Sequence, residues 1–164
     1  MLQKITPHLW FNNNAEEAMK FYTSVFKNSR IVSINRYPDE SLDEHFKGMA
    51  GKVIQGIFEL NGQRFMALDG GPMFKFNEAI SLYVECESQE EVDYFWEKLT
   101  ADGGEESMCG WLKDKYGLSW QIVPKQLDEL MGDKDTEKTG RVMQALMQMK
   151  KIDIEGLKQA YEQG

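Results

Sequence analysis

Four side chains, two near the N-terminus and two well down the chain, have the types and spacing of a small-ligand pocket. His8 and Trp10 alternate with apolar residues, and so do Ser119 and Gln121. Successive side chains of a strand point to opposite faces, so the alternation predicts that these four lie opposite the helix-packed face. An aromatic wall with a few polar groups is typical of such pockets. The alternative for His8 is a hydrogen-bonded histidine on a half-buried strand.

The two cysteines and the second histidine are weaker candidates for functional residues. Cys86 lies close to a predicted helix start, which favours a thiolate, but Glu85 and Glu87 flank it and oppose that charge. We therefore expect Cys86 and Cys109 to be inert thiols. His45 stands beside two acidic residues in a charged loop, and we expect it to be solvated.

Motifs that identify common enzyme classes are absent from the sequence. It contains no serine-nucleophile motif, P-loop, zinc-finger spacing or HExxH. It also lacks a glycine-rich loop between a strand and a helix that would hold a nucleoside cofactor. Gly70 and Gly71 are followed by Pro72, a pattern typical of a turn after a strand. No strong catalytic constellation results.

Two predicted helix starts indicate that the same order of secondary-structure elements occurs twice in the chain. Asn14 is a predicted N-cap with Glu17 at the capping-box position, and Ser88 with Glu91 repeats the pattern. An apolar run, 4–11 in the first copy and 80–86 in the second, precedes each cap, and an apolar stripe at helical spacing follows it.

Strand-like runs after each helix complete the repeat. They cover 30–37, 52–60 and 64–68 in the first copy, and 106–112, 113–116 and 118–123 in the second. Asn61-Gly62 predicts a tight hairpin, Gly117 marks another, and residues 38–51 form a charged loop. The pattern predicts an α+β fold of tandem βαβββ modules forming a curved mixed-sheet cleft, with C-terminal helices. An ordinary α+β domain without internal symmetry is the alternative.

The predicted domain boundary falls after Pro124. We expect a paired βαβββ domain at 1–124, with modules at about 1–72 and 76–124, and a helical extension at 125–164 packed on it. The extension should contain a short helical turn, a helix over 136–150 and a last helix capped by Asp153. Its methionines are expected to be plain core rather than a soft ligand surface.

Composition narrows the classes of partner. The chain has 164 residues, 27 acidic and 19 basic, and a net charge of −8. Such a surface argues against nucleic acid and anionic membranes as partners. The chain has no long apolar run, its first residues do not resemble a secretory signal, and two cysteines make no disulfide framework. We expect a cytoplasmic protein.

Four ordered blocks carry a resemblance to a known family. They are ITPHLWFNNNAEEAMKFYTSVF, GKVIQGIFELNGQRFMALDGGP, FNEAISLYVEC and CGWLKDKYGLSWQIVP. Together they resemble PhnB-like proteins of the vicinal oxygen chelate superfamily, which includes glyoxalases, dioxygenases and bleomycin- and fosfomycin-resistance proteins. The most similar subgroup is called 3-demethylubiquinone-9 3-methyltransferase-like. The resemblance implies paired βαβββ modules and a homodimer.

The resemblance also implies where a metal would bind. Metal-using members place a His near the first strand, a His at the start of the fifth and a Glu on the eighth. These positions match His8, the neighbourhood of Ala79, and Gln121. One strong ligand of three remains, so we predict no cofactor and a degraded metal site. His8 and Gln121 stay weak candidates for a divalent metal, which Asp69, Glu78 or Glu85 could support.

Three functions follow as hypotheses. The first is a protein that binds an unknown small organic molecule. The second is a metal-dependent lyase, isomerase or dioxygenase of the same superfamily, and the third is an interaction protein that uses its C-terminal helices. We expect the methyltransferase name to be inherited, because the sequence lacks a loop for that cofactor. The sequence does not decide whether the chain is an enzyme.

Overall fold

The chain folds into two compact units, Met1–Lys75 and Phe76–Gly164. The structure is a computed structural model that describes residues 3–38 and 44–163. Residues 39–43 of the predicted charged loop, and the side chain of His45, lie outside the described part.

The first unit is a four-stranded mixed sheet with one helix. Its elements are β1 (His8–Phe11), α1 (Ala15–Val25), β2 (Arg30–Arg36), β3 (Val53–Leu60) and β4 (Gln63–Asp69), with a 3-10 turn at Glu44–Phe46. The strand order is β1-β4-β3-β2, and only the β1–β4 pair of this sheet is parallel. The apolar stripe of α1 is buried, with Met19 seated over Gly56.

The second unit repeats this topology and adds three helices. Its elements are β5 (Ser81–Cys86), α2 (Gln89–Thr100), β6 (Glu105–Glu106), β7 (Trp111–Lys113), β8 (Ser119–Pro124), α3 (Lys125–Met131), α4 (Thr136–Leu146) and α5 (Ile154–Glu162), with a 3-10 turn at Ala101–Gly103. The strand order β5-β8-β7-β6 matches the first sheet position by position, with β5 parallel to β8. The predicted α+β fold of tandem βαβββ modules is confirmed. None of the described helices has the length and apolarity needed to cross a membrane.

Three strand predictions were wrong in their bounds. β1 begins at His8 rather than at residue 4, because Pro7 has no N–H to donate to a neighbouring strand. The predicted runs at 106–112 and 113–116 are instead β6 and β7, separated by a turn. Cys109 and Gly110 have φ of 59° and 83°, values that interrupt a strand.

The hairpin predictions were confirmed. Asn61 and Gly62 have φ of 47° and 81°, as a type I′ turn between β3 and β4 requires. The turn before β8 is organised by the buried carboxylate of Asp114, which accepts hydrogen bonds from the Tyr116 N–H at 2.8 Å and the Trp120 indole at 2.9 Å.

One of the two predicted capping boxes was wrong. The Asn14 side chain makes no capping hydrogen bond. The first N–H of α1, from Ala15, is bound at 2.9 Å by the Asp69 carboxylate, which is remote in sequence. The second prediction was confirmed in part, because the Ser88 hydroxyl accepts from the Glu91 N–H at 3.3 Å. The Glu91 carboxylate reaches back to the N–H of residue 87 rather than to that of the cap.

The C-terminal helices enclose a buried apolar cluster with the end of β8. Its buried members are Val123, Leu127, Val142, Leu146, Ile152 and Leu157. Asp153 caps α5 as predicted, with its carboxylate accepting from the Glu155 N–H. α4 ends at Leu146, earlier than predicted, because the carbonyls of Met149 and Lys150 bind the Cys109 and Gly110 amides instead.

Replacing Asp69 with asparagine tests the long-range cap. The two carboxylate oxygens accept from the Ala15 and Val53 N–H groups, both at 2.9 Å, and Asp69 is 4% exposed. An asparagine retains one acceptor oxygen, so one buried amide loses its partner. We expect Asp69→Asn to lower the free energy of unfolding by about 2–3 kcal/mol in urea denaturation. Asp102→Asn, at an exposed turn position, should change it by less than about 0.5 kcal/mol. Equal stabilities would contradict this role.

Gly110→Ala tests how tightly the second unit packs on its C-terminal helices. Gly110 has φ +83°, and an added Cβ would lie 2.8 Å from both the Ile122 carbonyl oxygen and the Ile152 side chain. Gly117→Ala is the matched control, because Gly117 has φ +84° and no atom within 4 Å of an added Cβ. We expect Gly117→Ala to cost about 1–2 kcal/mol from backbone strain alone, and Gly110→Ala about 1–3 kcal/mol more. Similar losses for the two variants in urea denaturation would show that Gly110 is not tightly packed.

Candidate functional site

Side-chain alternation along β8 separates a covered face of the second sheet from its other face. Leu118, Trp120 and Ile122 are at most 2% exposed and lie on the face that α2 covers. The opposite face is called here the open face. It carries Ser81, Tyr83, Glu85, Trp111, Lys113, Ser119, Gln121 and Val123.

An amide between two aromatic residues occupies the middle of the open face. Gln121 pairs with Tyr83 on β5 and with Trp111 on β7, so the three side chains form one row across the sheet. Tyr83 is 50% exposed, whereas Trp111 and Gln121 are half-buried. This row offers ring surface on both sides of a polar group.

The next row contains two hydroxyl groups with different hydrogen bonding. The Gln121 Nε2 donates to Ser81 Oγ at 2.9 Å, which orients the amide and leaves its Oε1 oxygen available as an acceptor. Ser119 pairs with Ser81 in the sheet and is 1% exposed, yet its Oγ has no hydrogen-bond partner among the described residues. Burying an unpaired hydroxyl is costly, so this group can gain from a ligand that pairs with it.

The charges around the open face are unevenly distributed. Lys113 forms an ion pair with Glu78, which holds the pKa of that carboxyl below its usual value and raises the pKa of the lysine. At the other end, burial raises the pKa of Tyr83, and the negative charges of Asp128 and Glu85 raise it further.

His8 and Trp10 lie together on the first sheet, with Leu9 and Phe11 buried on its other face as the alternation predicts. His8 is exposed, whereas Trp10 is half-buried and fixed by the loop that follows β4. Its Nε1 donates to the Gly71 carbonyl at 3.0 Å, and its ring meets Phe74 edge-on at 4.8 Å. The indole N–H of Trp10 is therefore used within the first unit.

The structure places Ser119 and Gln121 on the same face of β8, beside residues of β5 and β7 that the sequence analysis did not name. Tyr83 and Ser81 could have been found, because the run ending at Cys86 alternates like β8. Trp111 was missed because the strand that carries it was predicted to extend through the turn at Cys109.

Two of the three carboxylates that were named as possible supports for a metal are held by other contacts. Both oxygens of Asp69 bind backbone amides, and Glu78 pairs with Lys113. Within the described residues, no group of three or more His, Cys, Asp or Glu side chains is placed to hold a metal ion. Burial, with the charges of neighbouring glutamates, raises the pKa of the Cys86 thiol to about 12, as expected of an inert thiol.

Comparison with known proteins identifies relatives of this chain. A family sequence model described as 3-demethylubiquinone-9 3-methyltransferase matches residues 3–123. The solved PhnB protein from Bacillus cereus is 48% identical over 74% of this chain and 99% of its own, with a TM-score of 0.65. No curated protein matches the chain.

More distant structures share the fold. A protein from Pseudomonas aeruginosa is 20% identical, with coverage of 76% of this chain and 98% of its own and a TM-score of 0.59. The fosfomycin resistance protein FosX from Listeria monocytogenes is 14% identical, with coverage of 76% and 94% and a TM-score of 0.50. The extent of the family match and the identity to PhnB together show that the chain belongs to the 3-demethylubiquinone-9 3-methyltransferase family, a PhnB-like group of the vicinal oxygen chelate superfamily.

Proposed function

We propose that this chain is a small-molecule-binding protein of the glyoxalase and bleomycin-resistance type, and that its ligand lies on the open face of the second sheet. The observation that carries the proposal is the row formed by Tyr83, Gln121 and Trp111. Beside it lies the Ser119 hydroxyl, which has no hydrogen-bond partner among the described residues.

The chemistry of the row favours a flat organic ligand with a few polar groups. Aromatic side chains supply large apolar contact areas, and their pairing with another ring contributes roughly 0.5–1.5 kcal/mol beyond burial. The Gln121 Oε1 oxygen can accept a hydrogen bond, and Ser119 Oγ can both donate and accept one. Within the first unit, we propose His8 and Trp10 as ligand-binding residues, where His8 would offer the polar group.

The proposed function is ligand binding by a protein whose metal site is degraded. The family resemblance matches Gln121 to the position where metal-using members carry a glutamate, and a neutral amide is a weaker ligand than a carboxylate. Methyl transfer has less support, because the helix N-termini of both modules are capped by the chain's own side chains, Asp69 at α1 and Ser88 at α2. A nucleoside cofactor would need such a terminus free, preceded by a glycine-rich loop.

Two further parts of the proposal concern the cellular location and the oligomeric state of the protein. Two free cysteines are compatible with a reducing compartment, which supports a cytoplasmic location. The family resemblance supports a homodimer.

Gln121→Leu tests the proposed function. We would screen the full chain by thermal shift against a library of aromatic and heteroaromatic fragments, and measure the affinity of each compound that binds by calorimetry. Leucine keeps the volume but removes the amide, so we expect a three- to tenfold loss of affinity, roughly the worth of one hydrogen bond.

Gln144→Leu, on the exposed surface of α4, is the control and should leave the affinities unchanged. The proposal fails if no compound binds saturably, or if the two variants behave alike. If ligand binding requires a divalent ion, and if His8→Ala no longer binds that ion, the result would favour the metal-dependent alternative.

A further inference from the structure

The row of the open face that contains the buried hydroxyl also contains a cation. Ser119 pairs directly with Ser81 on β5 and with Lys113 on β7, so these three side chains form one row across the sheet. Residues that lie opposite each other on one face of an antiparallel pair have Cβ atoms about 4.5–5.5 Å apart. The Lys113 side chain therefore begins beside the Ser119 hydroxyl.

The ion pair between Lys113 and Glu78 crosses the start of β8. Lys113 is on β7, at one side of β8, and Glu78 lies just before β5, at the other side. Between them, at the beginning of β8, is Ser119. Because the Lys113 side chain leaves the sheet on the open face, the two charged groups meet over this end of that face. We call this ion pair the latch.

The hydroxyl at the latch has no hydrogen-bond partner among the described residues. Ser119 is 1% exposed and its Oγ is buried, while the ammonium of Lys113 is bound to Glu78. The Ser81 hydroxyl accepts from the amide of Gln121. A buried hydroxyl without a partner is costly, and a ligand that reaches it recovers that cost. Such a ligand has to pass the latch.

The latch is a weak interaction that a ligand can open. The side chains of Lys113 and Glu78 are 35% and 60% exposed. Ion pairs as exposed as this contribute little to stability, because water screens the charges and both side chains lose conformational freedom. The flexible four-carbon stem of lysine lets its ammonium move to a new anionic partner.

We propose that the Lys113–Glu78 latch covers Ser119 and that the site selects ligands carrying a carboxylate next to a flat ring. The ligand carboxylate would replace that of Glu78 at the Lys113 ammonium and accept a hydrogen bond from Ser119 Oγ. The ring would lie on the next row along β8, beside Trp111, roughly 7 Å away. This inference rests on the proposed function, because it names the ligand class of the same site.

Matched probes separate the charge from the ring. 3-Phenylpropionate is an anion at neutral pH, and 3-phenylpropionamide is its neutral counterpart of similar shape. We would titrate the isotope-labelled full chain with each probe and follow the Trp111 indole N–H resonance by NMR, assigned with Trp111→Phe. The acid should bind at least about fivefold more tightly than the amide, since a hydrogen bond between charged groups is the stronger one. Lys113→Gln should remove most of that preference.

Glu78→Gln should act in the opposite direction. It removes the carboxylate that competes with the ligand for Lys113, so the affinity for the acid should rise about two- to fivefold and that for the amide should not change. A merely structural role of the ion pair would not raise either affinity. Lys98→Gln is the control for a lost positive charge, because Lys98 is exposed on α2, which covers the other face. It should retain the preference for the acid.

Ser119→Ala tests the buried hydroxyl with and without a ligand. In the ligand-free chain it removes an unpaired buried group, so the midpoint of urea unfolding should stay the same or rise. The affinity for 3-phenylpropionate should fall about three- to tenfold, which corresponds to one hydrogen bond. A lower unfolding midpoint would overturn the inference, because the hydroxyl would then have a partner in the ligand-free protein.

The outcomes distinguish this inference from the proposed function. Equal affinities for acid and amide, both weakened by Gln121→Leu, would overturn the inference and leave the proposed function standing. Unchanged or weaker binding of the acid by Glu78→Gln would also overturn it, because Glu78 would not compete with the ligand. If neither probe moves the Trp111 resonance, the inference fails, and the fragment screen then decides the proposed function separately.

Discussion

Each βαβββ module has one helix to cover a four-stranded sheet, and one helix can bury only one of the two faces. In the second unit, α2 covers Leu118, Trp120 and Ile122, which leaves the alternate positions of β8 to face the other way. Because the side-chain period of a strand is two, a shift by one residue would exchange the two sets entirely. The location of Gln121 and Ser119 on the open face follows from this burial requirement, as do the positions of their neighbours on β5 and β7.

The second unit meets the same constraint differently from the first, because it carries the C-terminal helices. They bury Val123 at one end of the open face and leave the row of Tyr83, Gln121 and Trp111 beside them. This packing requires a close backbone approach at Gly110, where a side chain would collide with Ile152 and the Ile122 carbonyl. The addition thus places a charged helix, α3, beside residues that the family fold already supplies.

Sequence reasoning succeeded where the determining interactions are local. The hairpin at Asn61-Gly62 and the caps at Ser88 and Asp153 each depend on residues a few positions apart. It failed at the start of α1, because the cap comes from Asp69, whose proximity to Ala15 exists only once the sheet has formed. No local pattern could have indicated that contact.

The candidate site was predicted in part for the same reason. Alternation along one strand indicated Ser119 and Gln121, whereas their partners Tyr83 and Trp111 depend on the register between strands. Nothing in the sequence indicated that Cys109 and Gly110 have left-handed backbone conformations, which end the preceding strand before Trp111. These conformations allow the C-terminal helices to pack closely.

The central claim is that the open face of the second sheet binds a small organic molecule. Its most direct test is a chemical-shift map of the isotope-labelled full chain with a compound that binds saturably. The account predicts that the Trp111 indole and the Gln121 side-chain amide shift together and report a single affinity. Shifts that spare both groups, and instead centre on the covered face around Trp96 and Trp120, would contradict it.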